Sequence, residues 1–123
     1  MESFRDLIAW QKAMALATNV YRATDDFPRE EMYGLTMQLR RAAVAVPSDI
    51  AEGKGRISKK EFVQMLARAR GSACEVETQL EISKNLGFLQ PESFGPLAEQ
   101  CSEVGRLLNG LITSIQRSLR ADS

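Results

Sequence analysis

The sequence predicts an all-α fold, an antiparallel up-down four-helix bundle. Three observations carry the fold. Apolar residues recur at alternating spacings of three and four in four separate segments, which places them on one face of a helix each. No segment alternates with period two for long enough to form a strand. Aromatic residues make up only 7% of the 123, whereas strands favour aromatic and β-branched side chains. That length suits one domain, expected over residues 1–119, with a frayed tail at 120–123.

The first stripe is Leu7, Trp10, Met14, Ala17 and Tyr21, with Asp6 placed to cap its start. The second is Met32, Thr36, Leu39, Ala43, Val46 and Ile50, with Thr36 its one polar member. Phe27-Pro28 is expected to open this helix, because proline fits the first turn, where its missing N–H costs nothing. Gly53 and Gly55 are expected to end it. Pro47 lies inside the stripe and removes one hydrogen bond. Ile50 continues the stripe in phase beyond it, so a kinked helix running to Glu52 is expected.

Phe62, Leu66, Ala69, Ala73, Val76 and Leu80 form the third stripe. Ser58-Lys59-Lys60-Glu61 matches a capping box at its start, and Gly87 a left-handed cap at its end. Leu97, Cys101, Val104, Leu108, Leu111 and Ile115 form the fourth stripe, opened by Gln90-Pro91-Glu92. Pro96 is expected to delay regular hydrogen bonding, and the chain from Arg117 onward to fray. Short connections between long helices imply antiparallel neighbours. The third and fourth helices should each span roughly 42 Å and the first only roughly 28 Å. That mismatch leaves parts of the long helices uncovered. Leu107 and Ile112 widen the apolar face of the fourth helix, and extra apolar width calls for a second burial partner, here self-association.

Composition excludes much chemistry. The chain has no His, which removes Ser-His-Asp and Cys-His catalysis and His-ligated zinc. Cys74 and Cys101 are its only cysteines, too few for a four-thiolate site and expected to be small buried or half-buried residues. Gly53-Lys54-Gly55-Arg56 lacks the spacing of a phosphate-binding loop and follows no strand. The expectation is no enzyme, no metal and no cofactor. MESFRDLIAW lacks the features of a signal peptide, so a cytoplasmic chain with reduced thiols and no membrane partner is expected.

Sixteen basic and sixteen acidic residues cancel overall, but unevenly along the chain. Residues 40–70 carry eight basic and three acidic groups, a balance of +5. The candidate nucleic-acid contacts are Arg40, Lys54, Arg56, Lys59, Lys60, Arg68 and Arg70, against the plainer reading of a solvated face. A second kind of stripe is polar: Gln38, Arg41, Ala45, Asp49 and Glu52 on the second helix, and Arg68, Ser72, Glu75 and Gln79 on the third. Arg41 could pair with Glu75 or Glu52. Gln38, Arg41, Asp49, Glu52, Ser72 and Glu75 are candidates for a structural network that fixes helix register or subunit contacts, or alternatively for a polar ligand site.

Phe4-Arg5-Asp6-Leu7 followed by Trp10-Gln11-Lys12-Ala13 opens a pattern covering residues 4–115. Its centre is Gly34-Leu35-Thr36, Gln38-Leu39-Arg40-Arg41-Ala42-Ala43, Val46-Pro47, Ile50-Ala51-Glu52-Gly53 and Gly55-Arg56. Glu61-Phe62, Gly71-Ser72, Glu75, Glu77-Thr78 and Leu86-Gly87 extend it. This pattern resembles the bacterial four-helix bundle proteins, also called 23S rRNA intervening-sequence proteins. Asp49 stands where that family often has Asn, and Ala45 where Ser is common. The resemblance implies an all-helical bundle assembling as a ring-like homopentamer. The family's name reflects a genomic location within ribosomal RNA genes, not an activity. The fold is also similar to basic, pentameric accessory proteins of diversity-generating retroelements, which bind nucleic acid and a reverse transcriptase. The combined expectation is a non-enzymatic, homo-oligomeric binding scaffold with RNA as candidate partner. The alternative is a protein-protein assembly module with no nucleic-acid role.

Overall fold

The computed structural model describes residues 3–122; the expectations touching residues 1, 2 and 123 lie outside the described residues. Four helices follow one another: α1 (Ile8–Thr24), α2 (Leu35–Lys54), α3 (Lys59–Asn85) and α4 (Pro91–Ala121). Single 3-10 turns at Phe4–Asp6 and Arg29–Glu31 precede α1 and α2. No strand occurs among the described residues. Helices α1 and α3 each pack against both α2 and α4, closing a four-membered bundle.

Contacts between distant residues show the direction of each neighbour. Lys59 at the start of α3 donates to Ser118 near the end of α4, and Arg70 donates to Asn109. Arg40 in the first turns of α2 donates to Thr24 at the end of α1. Gly53 near the end of α2 lies against Phe62 and Met65 near the start of α3. Each pair runs antiparallel. The core is aliphatic, with Leu16, Leu39, Ile50, Leu66, Leu80 and Leu108 fully buried. Burial of each such side chain contributes about 1.5–3 kcal/mol before ordering costs.

The second, third and fourth stripes point inward as their spacing requires, apart from Met32, which is exposed, and Phe62, Leu111 and Ile115, which are half-buried. The first stripe does so only in part, through buried Ala17 and half-buried Leu7 and Trp10 packed against the core. Helix α1 buries Ala9, Ala13, Leu16, Ala17 and Val20, while Met14 and Tyr21 are exposed and Trp10 is half-buried. Both sets obey helical spacing. The alanine-rich face wins because small side chains let α1 approach α2 and α4 closely, with Leu16 and Val20 filling the core.

Several boundaries also differ from expectation. Helix α2 starts at Leu35, not at Phe27-Pro28. Pro28 is extended at φ −55 and ψ 141, Phe27 is buried instead, and its ring lies 5.8 Å from that of Phe88. The Glu31 carboxylate then accepts from the Leu35 N–H at 3.2 Å, capping α2. Asp6 caps the short turn ahead of α1 by accepting from the Ser3 N–H. Pro47 is accommodated inside a helix that continues to Lys54, so Gly53 is helical and Gly55 is the cap. The Ser58 hydroxyl accepts from the Glu61 N–H as expected, but the Glu61 carboxylate accepts from that hydroxyl and not from the backbone. Helix α4 passes through Pro96 and runs on through Arg117 and Arg120 to Ala121. No helix among the described residues is long and apolar enough to cross a membrane.

Candidate functional site

Most of the predicted basic residues hold partners within the chain. Arg40 is the most committed. Its Nε donates to the Thr24 hydroxyl at 2.8 Å, and one Nη donates to the Tyr21 carbonyl and to Asp25. Its guanidinium also lies 4.6 Å from the centre of the Tyr21 ring. Arg56 pairs with Glu52 and lies 3.9 Å from Glu61. Lys59 pairs with Asp122 and Ser118, and Arg70 with Asn109. Lys54 sits 5.9 Å from the Phe62 ring centre. Lys60 and Arg68 are exposed and make no ion pair among the described residues. The residues do gather where α2 turns into α3, but carboxylates interleave them.

The polar stripes of α2 and α3 lie side by side. Asp49 sits close enough to Arg68 to feel its charge; burial nevertheless pushes the Asp49 carboxyl above the usual range, with Arg68 opposing and Glu52 adding to the rise. The expected Arg41–Glu75 pair does not form within one chain. Both side chains are exposed, and neither has a hydrogen bond or ion pair among the described residues. Glu52 is taken by Arg56. Gln38 is exposed and Ser72 half-buried. The side-chain polar atoms buried without a partner among the described residues are Thr36 Oγ1 and Gln79 Oε1. What was read as one network is therefore a local cluster at Asp49, Glu52, Arg56 and Arg68, and an unpaired Arg41 on the outer crest of α2.

An open apolar trough, not anticipated from the sequence, lies between α1 and α2. Trp10, Met14 and Tyr21 of α1 face Val44, Pro47 and Ala51 of α2 across an open trough of about 510 Å³. A second trough of about 390 Å³ shares Tyr21 and Val44 with it and continues along Met32, Tyr33, Met37 and Arg41, with Thr36 also in its wall. Tyr33 is 86% exposed. The stacked Arg40 guanidinium holds Tyr21 at the junction of the two. The sequence signal was present: α1 carries two apolar faces, one more than a bundle helix needs.

No group of three or more His, Cys, Asp or Glu side chains among the described residues is placed to hold a metal ion. Burial, with Glu77 nearby, pushes the Cys101 thiol up to about 12, so it stays protonated at neutral pH. Cys74 is exposed on α3.

The geometry defines a class: an all-α bundle whose surface is organised around an apolar trough. Residues 5–110 match the family of the 23S rRNA-intervening sequence protein, and the chain belongs to that family. No curated protein matches the chain. A crystal structure of a protein with unknown function from the S23 ribosomal protein family, from Bacteroides thetaiotaomicron VPI-5482, shares the fold at a TM-score of 0.77. The two are 19% identical over 85% of this chain and 98% of that one.

Proposed function

We propose that the chain is a non-enzymatic, self-associating scaffold whose assembled form, a homopentamer on the family resemblance, presents a repeated binding surface. The observation that carries this reading is the trough between α1 and α2. Met14, Tyr21, Val44 and Tyr33 are large apolar side chains left exposed along one continuous line. Contiguous apolar surface of this kind marks an interaction site, because its exposure to water is unfavourable and a partner relieves it. Light scattering coupled to size exclusion tests the reading. A mass several times 13.7 kDa at tens of micromolar is expected, and a monomer overturns it.

Nucleic acid is the second reading, favoured by Lys54, Lys60 and Arg68, which form no salt bridge among the described residues. Repetition of these cations in each copy raises effective concentration. Replacing the three by Ala should flatten the salt dependence of RNA binding, by about 0.9 in log-log slope per lost phosphate contact on a duplex. Absence of RNA binding at about 50 mM salt, where such contacts are strongest, leaves the protein-assembly reading alone.

A further inference from the structure

We infer that the trough of one copy receives the outer flank of α3 from a second copy, and that Glu75 of that copy neutralises Arg41. This rests on the self-association proposed above and names its surfaces. Three observations support it.

The first is charge. Among the described residues, Arg41 stands at the trough without a carboxylate partner, and Glu75 stands exposed without a cation. The second is the pattern on α3. Ser72, Glu75, Gln79, Ile82 and Leu86 follow three-and-four spacing, so they form one flank. Ile82 and Leu86 on it are large apolar side chains left exposed, at 41% and 58%. The flank therefore offers a carboxylate followed by an apolar patch, and the trough offers a guanidinium followed by Met37, Met32 and Tyr33.

The third is height. Gly53 lies against Phe62 and Met65. Continuing this antiparallel register puts Arg41 level with the turn from Cys74 to Glu77, which holds Glu75. It puts Met37 level with the stretch from Thr78 to Glu81, and Met32 and Tyr33, in the turn before α2, beyond it towards Ile82 and Leu86. Copies related by an axis along the bundle keep these heights, so charge meets charge and apolar meets apolar without a shift. The two surfaces lie on adjacent sides of the bundle, either side of α2. Such a contact is heterologous, and it closes into a ring when its rotation divides a full turn.

The test uses Arg41→Glu, Glu75→Arg and Val44→Glu in the full chain, read by sedimentation velocity at several concentrations. All three positions are exposed in the single chain, so circular dichroism should show wild-type helicity. Each variant should weaken assembly by about tenfold or more. Combining Arg41→Glu with Glu75→Arg in one chain should restore it, because every junction of a ring, whatever its number of copies, then joins opposite charges. Variants that assemble like the wild type overturn this inference and leave self-association standing. Single variants that dissociate and are not rescued when the two substitutions are combined overturn the Arg41–Glu75 pairing. A wild type that is monomeric at about 100 μM, where a contact of even modest affinity forms, overturns both this inference and the proposed function.

Discussion

Gly53 of α2 lies so close to α3 that a methyl group in its place would stand 2.9 Å from Met65 Cβ and 2.8 Å from Phe62 Cδ1. The Met65 contact is with the base of a side chain, which cannot swing away. The helices meet here because position 53 has no Cβ.

Gly53→Ala is therefore expected to destabilise the fold. The better helix propensity of alanine offers about 0.5–1 kcal/mol, but overpacking costs about 1–3 kcal/mol. A denaturant melt should show a lower midpoint. An unchanged midpoint would mean that α3 moves aside at no cost.

Gly87 is glycine for a different reason. Its φ of 80 is left-handed, and a Cβ there would touch nothing within 4 Å. It ends α3 while the Phe88 N–H donates to the Ser83 carbonyl and the Gly87 N–H to that of Lys84. Phe88 then packs on Phe27. Gly87→Ala should cost about 1–2 kcal/mol through conformation alone, and Gly87→Asn less, because Asn tolerates this region. Equal losses for Ala and Asn would refute the conformational account.

Arg40 closes the α1–α2 end by donating to Thr24, Tyr21 and Asp25. Arg40→Ala is expected to cost about 1.5–3 kcal/mol, as for other hydrogen bonds from a charged donor. Arg40→Lys should recover little, since an ammonium lacks the planar fork that reaches three partners. A double-mutant cycle with Thr24→Val should show coupling of roughly 0.5 kcal/mol or more; strictly additive effects would refute the link.

Asp49 sets a pH dependence. Burial raises its folded-state pKa above the ordinary value of 3.8, so the folded chain holds this proton more tightly than the unfolded chain does. Its contribution to stability is fully present below 3.8 and is lost as pH rises through the raised folded value. Asp49→Asn removes the charge. At neutral pH it should stabilise slightly, on the order of 0.5 kcal/mol or less for a partly exposed position. That gain should shrink as pH falls and Asp49 itself becomes neutral. A gain that grows in acid would contradict the sign. Melts at several pH values decide it.

Three of the four buried faces were legible because α2, α3 and α4 each offer one main apolar stripe, and a single stripe has a single way to be buried. The ends of α3 were legible because Ser58 and Gly87 act locally. Sequence alone also determined the absence of histidine chemistry. Which face of α1 goes inward was not legible. Ala9-Ala13-Leu16-Val20 and Trp10-Met14-Tyr21 have the same periodicity, and only the closeness of approach to α2 and α4 chooses the smaller side chains. That choice turns the larger ones outward and creates the trough. The fate of the charges was hidden for a related reason. Arg40 meets Thr24, and Lys59 meets Asp122, across separations that no local spacing encodes. Periodicity tells a residue which face of its own helix it occupies; the packing of the other helices decides whether that face meets core, carboxylate or water.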